Sequence, residues 1–185
     1  MAFPSFASGD VLNASDMNAV GLWKITSVSL NAVTNNISNV FSSTYDAYRV
    51  VISDLNSGSA TTRTITMRFR TSSDDTGANY WWSQYGFYGA TAFNSGNSGQ
   101  TSSDLMALAD STNDGASIVL DIVNPNLAKA TTYSGSAIGY QANVTNHATR
   151  LIAGGVNTAT QYTGFSIIGV TDNLSGTVRV YGYRN

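Results

Sequence analysis

After its first 22 residues, the chain alternates between apolar and polar residues with a period of two. In the segment 64–70, Ile65, Met67 and Phe69 alternate with threonine and arginine, and the segment 177–183 alternates in the same way. Successive side chains of a β-strand point to opposite faces of a sheet, so this pattern is typical of strands that bury one face. The pattern predicts a chain built mainly from β-strands.

The composition indicates the same fold class. Charged residues make up 11% of the 185 residues, against about 25% in typical soluble domains. The chain contains no glutamate and only two lysines, although both residue types are strong helix formers. It is rich instead in serine, threonine, asparagine and glycine, which are weak helix formers and favour turns and strands. A helical bundle and a doubly wound α/β enzyme are thereby excluded, and we predict an all-β chain.

The predicted strands are short and separated by polar turns. The clearest candidates are 48–53, 64–70, 118–123, 165–170 and 177–183, and further candidates are 24–30, 37–41, 80–88, 105–109, 131–140 and 149–153. Turn clusters include NSGNSG after Phe93, and Asp114-Gly115 predicts a hairpin between 105–109 and 118–123. About ten short antiparallel strands with such turns indicate a β-sandwich or jelly roll.

The first residues differ from this pattern, and we divide the chain into an N-terminal arm, 1–22, and a β-sandwich domain, 23–185. Asn13 and Asp16 resemble an N-cap pair, which predicts one or two helical turns over about 14–20. Because so short a helix is not stable alone, the arm must dock on its own domain or on another protein.

Several functional classes are excluded by what the sequence lacks. A formal net charge of −2 provides no basic face for a nucleic-acid backbone. Without cysteine there is no disulfide or thiolate metal site, and no apolar run reaches the length of about 18 residues that spans a membrane. His147 is the only histidine, and no serine lies in a G-x-S-x-G motif. We interpret His147 as a solvated residue of a loop or strand end, and predict no enzymatic activity and no cofactor.

Two groups of aspartates are candidates for a functional site, one for calcium binding and one for glycoside hydrolysis. Asp110, Asp114 and Asp121 partly match a calcium-binding loop, although position three of that loop is a threonine and flanking helices are missing. The competing interpretation is the Asp114-Gly115 hairpin turn. The adjacent Asp74 and Asp75 cannot face each other as a glycosidase pair, so we predict a turn in which either carboxylate pairs with Arg68 or Arg70.

The segment YWWSQYGFY, residues 80–88, carries the densest aromatic cluster. Strand geometry predicts that one face carries Tyr80, Trp82 and Tyr88 and that the other carries Trp81, Tyr85 and Phe87. One face would then be core and the other an exposed contact site for sugars or flat protein surfaces. Alternatively both faces are buried, one in the sandwich and one in a subunit interface.

Three segments resemble bacteriophage proteins. GDVLNASDMNAV, residues 9–20, resembles the short G-x-V-L-x-A-x-D-x-N segment near the start of many phage tail-fibre and other virion proteins. The stretch 41–72, with YDAYR leading into a strand that ends RFR, is similar to a recurring phage module, and the closing GTVRVYGYRN resembles the ends of the same small proteins. Together these segments cover about half of the chain.

The resemblance implies a non-enzymatic virion structural protein, most simply a homotrimeric short tail fibre or tail-tip adhesin that binds a host-surface glycan. Attachment to other virion proteins of the tail or capsid is then expected from residues of the arm: Phe3, Phe6, Gly9, Asp10, Val11, Leu12, Asp16, Met17 and Asn18. Receptor or subunit contact is expected from Trp81, Trp82 and Tyr85. The alternatives are a capsid decoration or cement protein, which would bind the head surface, and a free lectin-like module.

Overall fold

The structure is a computed structural model that describes residues 21–108 and 115–183. These residues form twelve strands: β1 (Leu22–Leu30), β2 (Thr34–Ile37), β3 (Ala47–Asn56), β4 (Arg63–Arg70), β5 (Tyr80–Tyr88), β6 (Thr91–Gln100), β7 (Ser103–Leu108), β8 (Ala116–Val123), β9 (Thr131–Gln141), β10 (Asn146–Val156), β11 (Gly164–Ile168) and β12 (Ser175–Tyr183). The predicted helical turns and all the attachment residues of the arm lie outside the described ranges.

The strands form two antiparallel sheets of unequal width. Eight strands lie in the order β1-β12-β3-β8-β9-β10-β5-β6, and four lie in the order β2-β11-β4-β7. The apolar residues between the sheets form one core, which includes Val50 and Ile52 from β3, Leu120 from β8 and Met67 and Phe69 from β4. The all-β prediction is confirmed, and the arrangement resembles a sandwich.

Alternation in the sequence explains which face each strand buries. In β8, Ile118, Leu120 and Ile122 are fully buried, whereas the intervening residues are partly or largely exposed. The same alternation in β4 buries Ile65 and Met67. The eight-stranded sheet therefore has an inner face in contact with the smaller sheet and an outer face without a covering sheet among the described residues.

Three predictions about local structure are wrong. The segment NSGNSG after Phe93, predicted as a turn, belongs to strand β6. The hairpin predicted between 105–109 and 118–123 does not form, because β7 pairs with β4 in the smaller sheet while β8 pairs with β3 and β9 in the larger one. Asp114 itself lies outside the described residues. The predicted strand at 37–41 is replaced by β2, which ends at Ile37. Strand β6 was not predicted because it is a mostly exposed edge strand. Such a strand needs no apolar face, so its sequence shows no alternation of apolar and polar residues.

Candidate functional site

The aromatic strand β5 presents different residues on its two faces, as its alternation predicted. Tyr80 is fully buried against the core and Trp82 is partly buried on the same face. Trp81, Tyr85 and Phe87 lie on the outer face, with 39%, 52% and 40% of their surface exposed. Of the three residues predicted to make contact, Trp81 and Tyr85 therefore share a surface, and Trp82 lies on the opposite side of the sheet.

Strand pairing places aliphatic side chains beside these aromatic residues. Tyr85 pairs with Leu151 in β10, Leu151 pairs with Ser136 in β9, and Ser136 pairs with Val119 in β8. Leu151 is 65% exposed, so an apolar side chain stands in the middle of the outer face. A cavity of about 380 Å³ lies along this row, and Ile138 also contributes to its lining. Its wall is mainly apolar and open to solvent.

A neighbouring row of small residues forms a second depression. Ser83, Ala153 and Ser134 are paired in succession across β5, β10 and β9. Because these side chains are short, the sheet surface is low here, and a cavity of about 670 Å³ results. The two cavities share Tyr85, Val119, Ser136 and Leu151, so they form one continuous depression. We call it the outer-face groove.

The outer-face groove ends at an ion pair. Arg49 in β3 donates from Nε and Nη2 to the two carboxylate oxygens of Asp121 in β8, at 2.9 and 2.7 Å. The Tyr183 hydroxyl donates to the same carboxylate at 2.7 Å. The hydrogen bonds from Arg49 lower the pKa of Asp121, and the one from Tyr183 adds to this effect. Asp121 is therefore a fixed anion whose oxygens are already occupied.

This geometry concerns Asp121, one of the three aspartates that partly match a calcium-binding loop. Asp121 lies on a strand with its carboxylate held by Arg49, and Asp110 and Asp114 lie outside the described residues. Within residues 21–108 and 115–183, no group of three or more histidine, cysteine, aspartate or glutamate side chains could hold a metal ion.

The remaining aspartate prediction is confirmed. Asp74 lies in the turn after β4, and its carboxylate lies 3.2 Å from Nε of Arg70. Asp75 accepts a hydrogen bond from the hydroxyl of Tyr162, which fixes the same turn to the body of the domain.

His147 is an exposed residue near the start of β10, and its ring lies edge-on to Tyr140. The predicted position of His147 at a strand end is confirmed.

Sequence reasoning identified the aromatic side of the outer-face groove but missed Leu151, Val119 and Arg49. Residues 151 and 152 are both aliphatic, so the alternation of this segment does not show which of them points outward. The structure buries the neighbouring Arg150, so Leu151 points outward. An arginine is normally expected on the exposed face of a strand, and the sequence would therefore have suggested the opposite orientation.

No protein-family model matches this chain, and no curated protein sequence does. Among the described residues, no helix is long and apolar enough to cross a membrane. The outer-face groove is accordingly interpreted from its own chemistry, which combines aromatic and aliphatic surface, serine hydroxyls and one ion pair. These are elements of a binding surface.

Proposed function

We propose that the chain is a bacteriophage virion protein of the short tail-fibre or tail-tip type, which binds a host-surface glycan through the outer-face groove. The observation that carries the proposal is the exposure of Trp81, Tyr85 and Phe87 along one side of a groove with serine hydroxyls on its floor. In this proposal the domain is a jelly roll that works without catalysis as a homotrimer. The resemblance of residues 9–20 to virion attachment segments supports anchoring through the arm.

The chemistry of the groove suits a saccharide. Flat aromatic rings pack against the C–H faces of sugar rings, while Ser83, Ser134 and Ser136 can each donate and accept a hydrogen bond. The groove is shallow, so each copy would bind weakly. Several copies on one particle would convert weak contacts into firm attachment, because linked sites bind at a high effective concentration.

The proposal is tested by competition for host cells. Purified protein should inhibit phage adsorption, and Tyr85→Ala and Trp81→Ala should each weaken that inhibition about tenfold. Val170→Ala, which changes a 55% exposed side chain in the loop after β11, is the matched control and should inhibit like the wild type. Full inhibition by both aromatic variants would contradict the proposal.

A second candidate function is supported by one specific observation. Leu151 and Ile138 are 65% and 43% exposed within the groove, and exposed aliphatic side chains are more typical of protein contacts than of sugar contacts. A capsid decoration or cement protein would bury them against the head surface. Mass spectrometry of separated heads and tails distinguishes the two roles, because an adhesin is found with tails and a cement protein with heads.

A further inference from the structure

A third cavity lies on the inner face of the larger sheet, where β5 and β6 form its last two strands and β7 forms the edge of the smaller sheet. Its volume is about 160 Å³. We call this cavity the inner pocket. Residues from both sheets line it, among them Trp82, Gln84, Tyr88, Phe93, Asp104 and Arg150. It is on the opposite side of the sheet from the outer-face groove.

Arg150 is the most unusual residue of the inner pocket. Only 7% of its surface is exposed, and its Nη1 donates to Oε1 of Gln84 at 2.6 Å. Among the described residues, Nε and Nη2 have no acceptor in hydrogen-bond geometry. Burial lowers the pKa of Arg150, and the nearby Tyr88 hydroxyl acts in the opposite direction. The guanidinium carbon lies 5.0 Å from the ring centre of Phe93 and 5.9 Å from that of Tyr88. A buried guanidinium with two donor nitrogens unpaired costs stability, and such a group indicates that water, an ion or a ligand completes the site.

The acidic residue of the inner pocket is Asp104, in β7. The described residues contain no ion pair between its carboxylate and Arg150 within 4.0 Å, although both side chains line the same small cavity. Burial raises the pKa of Asp104, while the charge of Arg150 acts in the opposite direction. A cation and an anion therefore face one cavity without contact, which leaves room for a polar group between them.

The charges and walls of the inner pocket restrict what that group can be. Because the two charges balance, a neutral ligand is favoured over an anion or a cation. A ligand between them must accept from Arg150 and donate to Asp104, and a hydroxyl group does both. Tyr88 and Phe93 are stacked with ring centres 4.1 Å apart and offer an apolar wall. At about 30 Å³ per water, the volume equals about five waters, which suits one small ring rather than a chain of sugars.

We propose that the inner pocket binds one neutral monosaccharide unit, whose hydroxyl groups bridge Arg150 and Asp104 while its ring lies against the aromatic wall. This inference does not depend on a ligand in the outer-face groove, because the two sites lie on opposite faces and their linings share only the buried residues Gln84 and Arg150. The unit could be a free sugar or the end of a glycan, since both present the same hydroxyl-bearing ring.

The experiment is an NMR titration of the full chain with methyl glycosides of glucose, galactose, mannose and N-acetylglucosamine. The indole signals of Trp23, Trp81 and Trp82 are assigned with single tryptophan-to-phenylalanine variants. We expect at least one glycoside to shift the Trp82 signal saturably, with a Kd of about 1–10 mM. No saturable shift with any of the four, as a pocket filled only by water would give, overturns the proposal. Glucuronate that binds as tightly as the neutral glycosides would overturn the inference that the ligand is neutral.

Two variants connect the signal to the inner pocket. Asp104→Asn removes the anion but keeps the shape, and it should weaken binding about tenfold while the protein stays folded. Tyr85→Ala changes only the outer-face groove and should leave the affinity at wild-type level. Binding that survives Asp104→Asn, or that is lost in Tyr85→Ala, contradicts the assignment. Failure of the adsorption test alone would leave this result unchanged, so the two proposals fail separately.

Discussion

Strand β5 permits a direct test of which aromatic side chains hold the fold together. Tyr80 is fully buried, and its hydroxyl accepts from the amide of Phe69 at 2.9 Å and donates to the carbonyl of Asp75 at 3.2 Å. Replacing it with alanine removes a packed ring and leaves the Phe69 amide without its partner. Large-to-small changes of this kind cost about 3–5 kcal/mol, and the unpaired amide adds about 1–3 kcal/mol.

Tyr85, five residues along the same strand, should behave differently. An aromatic side chain buries about 200 Å² when fully covered, and Tyr85 remains 52% exposed. About half of that area is therefore buried, which at about 25 cal/mol per Å² corresponds to about 2.5 kcal/mol as an upper bound. We expect Tyr85→Ala to lower the free energy of unfolding by about 1–2 kcal/mol, well below the effect of Tyr80→Ala.

The assay is urea unfolding of both variants at pH 7, at two protein concentrations, with equal slopes in denaturant required for the comparison. If Tyr85→Ala costs as much as Tyr80→Ala at both concentrations, the alternation of buried and exposed side chains in β5 is wrong. A large cost that appears only at the higher concentration would instead show that copies of the chain cover the outer face.

Three further predictions concern pH. Burial, together with the hydrogen bond to Asp75, raises the pKa of Tyr162 to about 12. The free energy of unfolding should therefore fall as the pH rises from about 10, where the unfolded tyrosine ionises, towards 12. Tyr162→Phe should reduce this loss, as measured by urea unfolding at alkaline pH. Because burial raises the pKa of Asp104, its ionised form opposes folding above that pKa, and Asp104→Asn should unfold at higher urea than the wild type at pH 7 but not at about pH 3. A less stable Asp104→Asn at pH 7 would mean that attraction to a nearby cation outweighs desolvation. The lowered pKa of Asp121 adds stability that is present above about pH 3.9 and is lost as the pH falls through the pKa of the folded protein. This carboxylate and Arg49 are each 38% exposed, so Asp121→Asn should cost under about 1 kcal/mol at pH 7. Thermal unfolding should show no difference between the variant and the wild type in strong acid.

Prediction from sequence succeeded where burial and alternation coincide. Segment 64–70 became β4 with only one added residue, because each apolar residue of the pattern points into the core. Strand β6 gave no such signal: its sequence TAFNSGNSGQ is mostly exposed on both faces, and it pairs with β5 through backbone hydrogen bonds that any residue except proline can make.

The candidate site was predictable only in part, because it depends on strand register. Trp81 and Tyr85 were identified from β5 alone. Leu151 joins them only because β10 pairs with β5 in one particular register, and a shift of one residue would bring Arg150 to the outer face instead. The bridge between Arg49 and Asp121 spans 72 positions in the sequence, and no local pattern specifies so distant a pair.

The unequal width of the two sheets has a consequence for how the domain opens. Strand β6 is attached to the sheet through β5 alone and is mostly exposed, so few apolar contacts oppose its separation. Amide hydrogens of β6 should exchange with solvent through local opening at a small fraction of the free energy of global unfolding, whereas those of β3 and β8 exchange only when the core opens. Such local opening would uncover the guanidinium of Arg150 while the rest of the domain stays folded, and it would widen the access of a small molecule to the inner pocket.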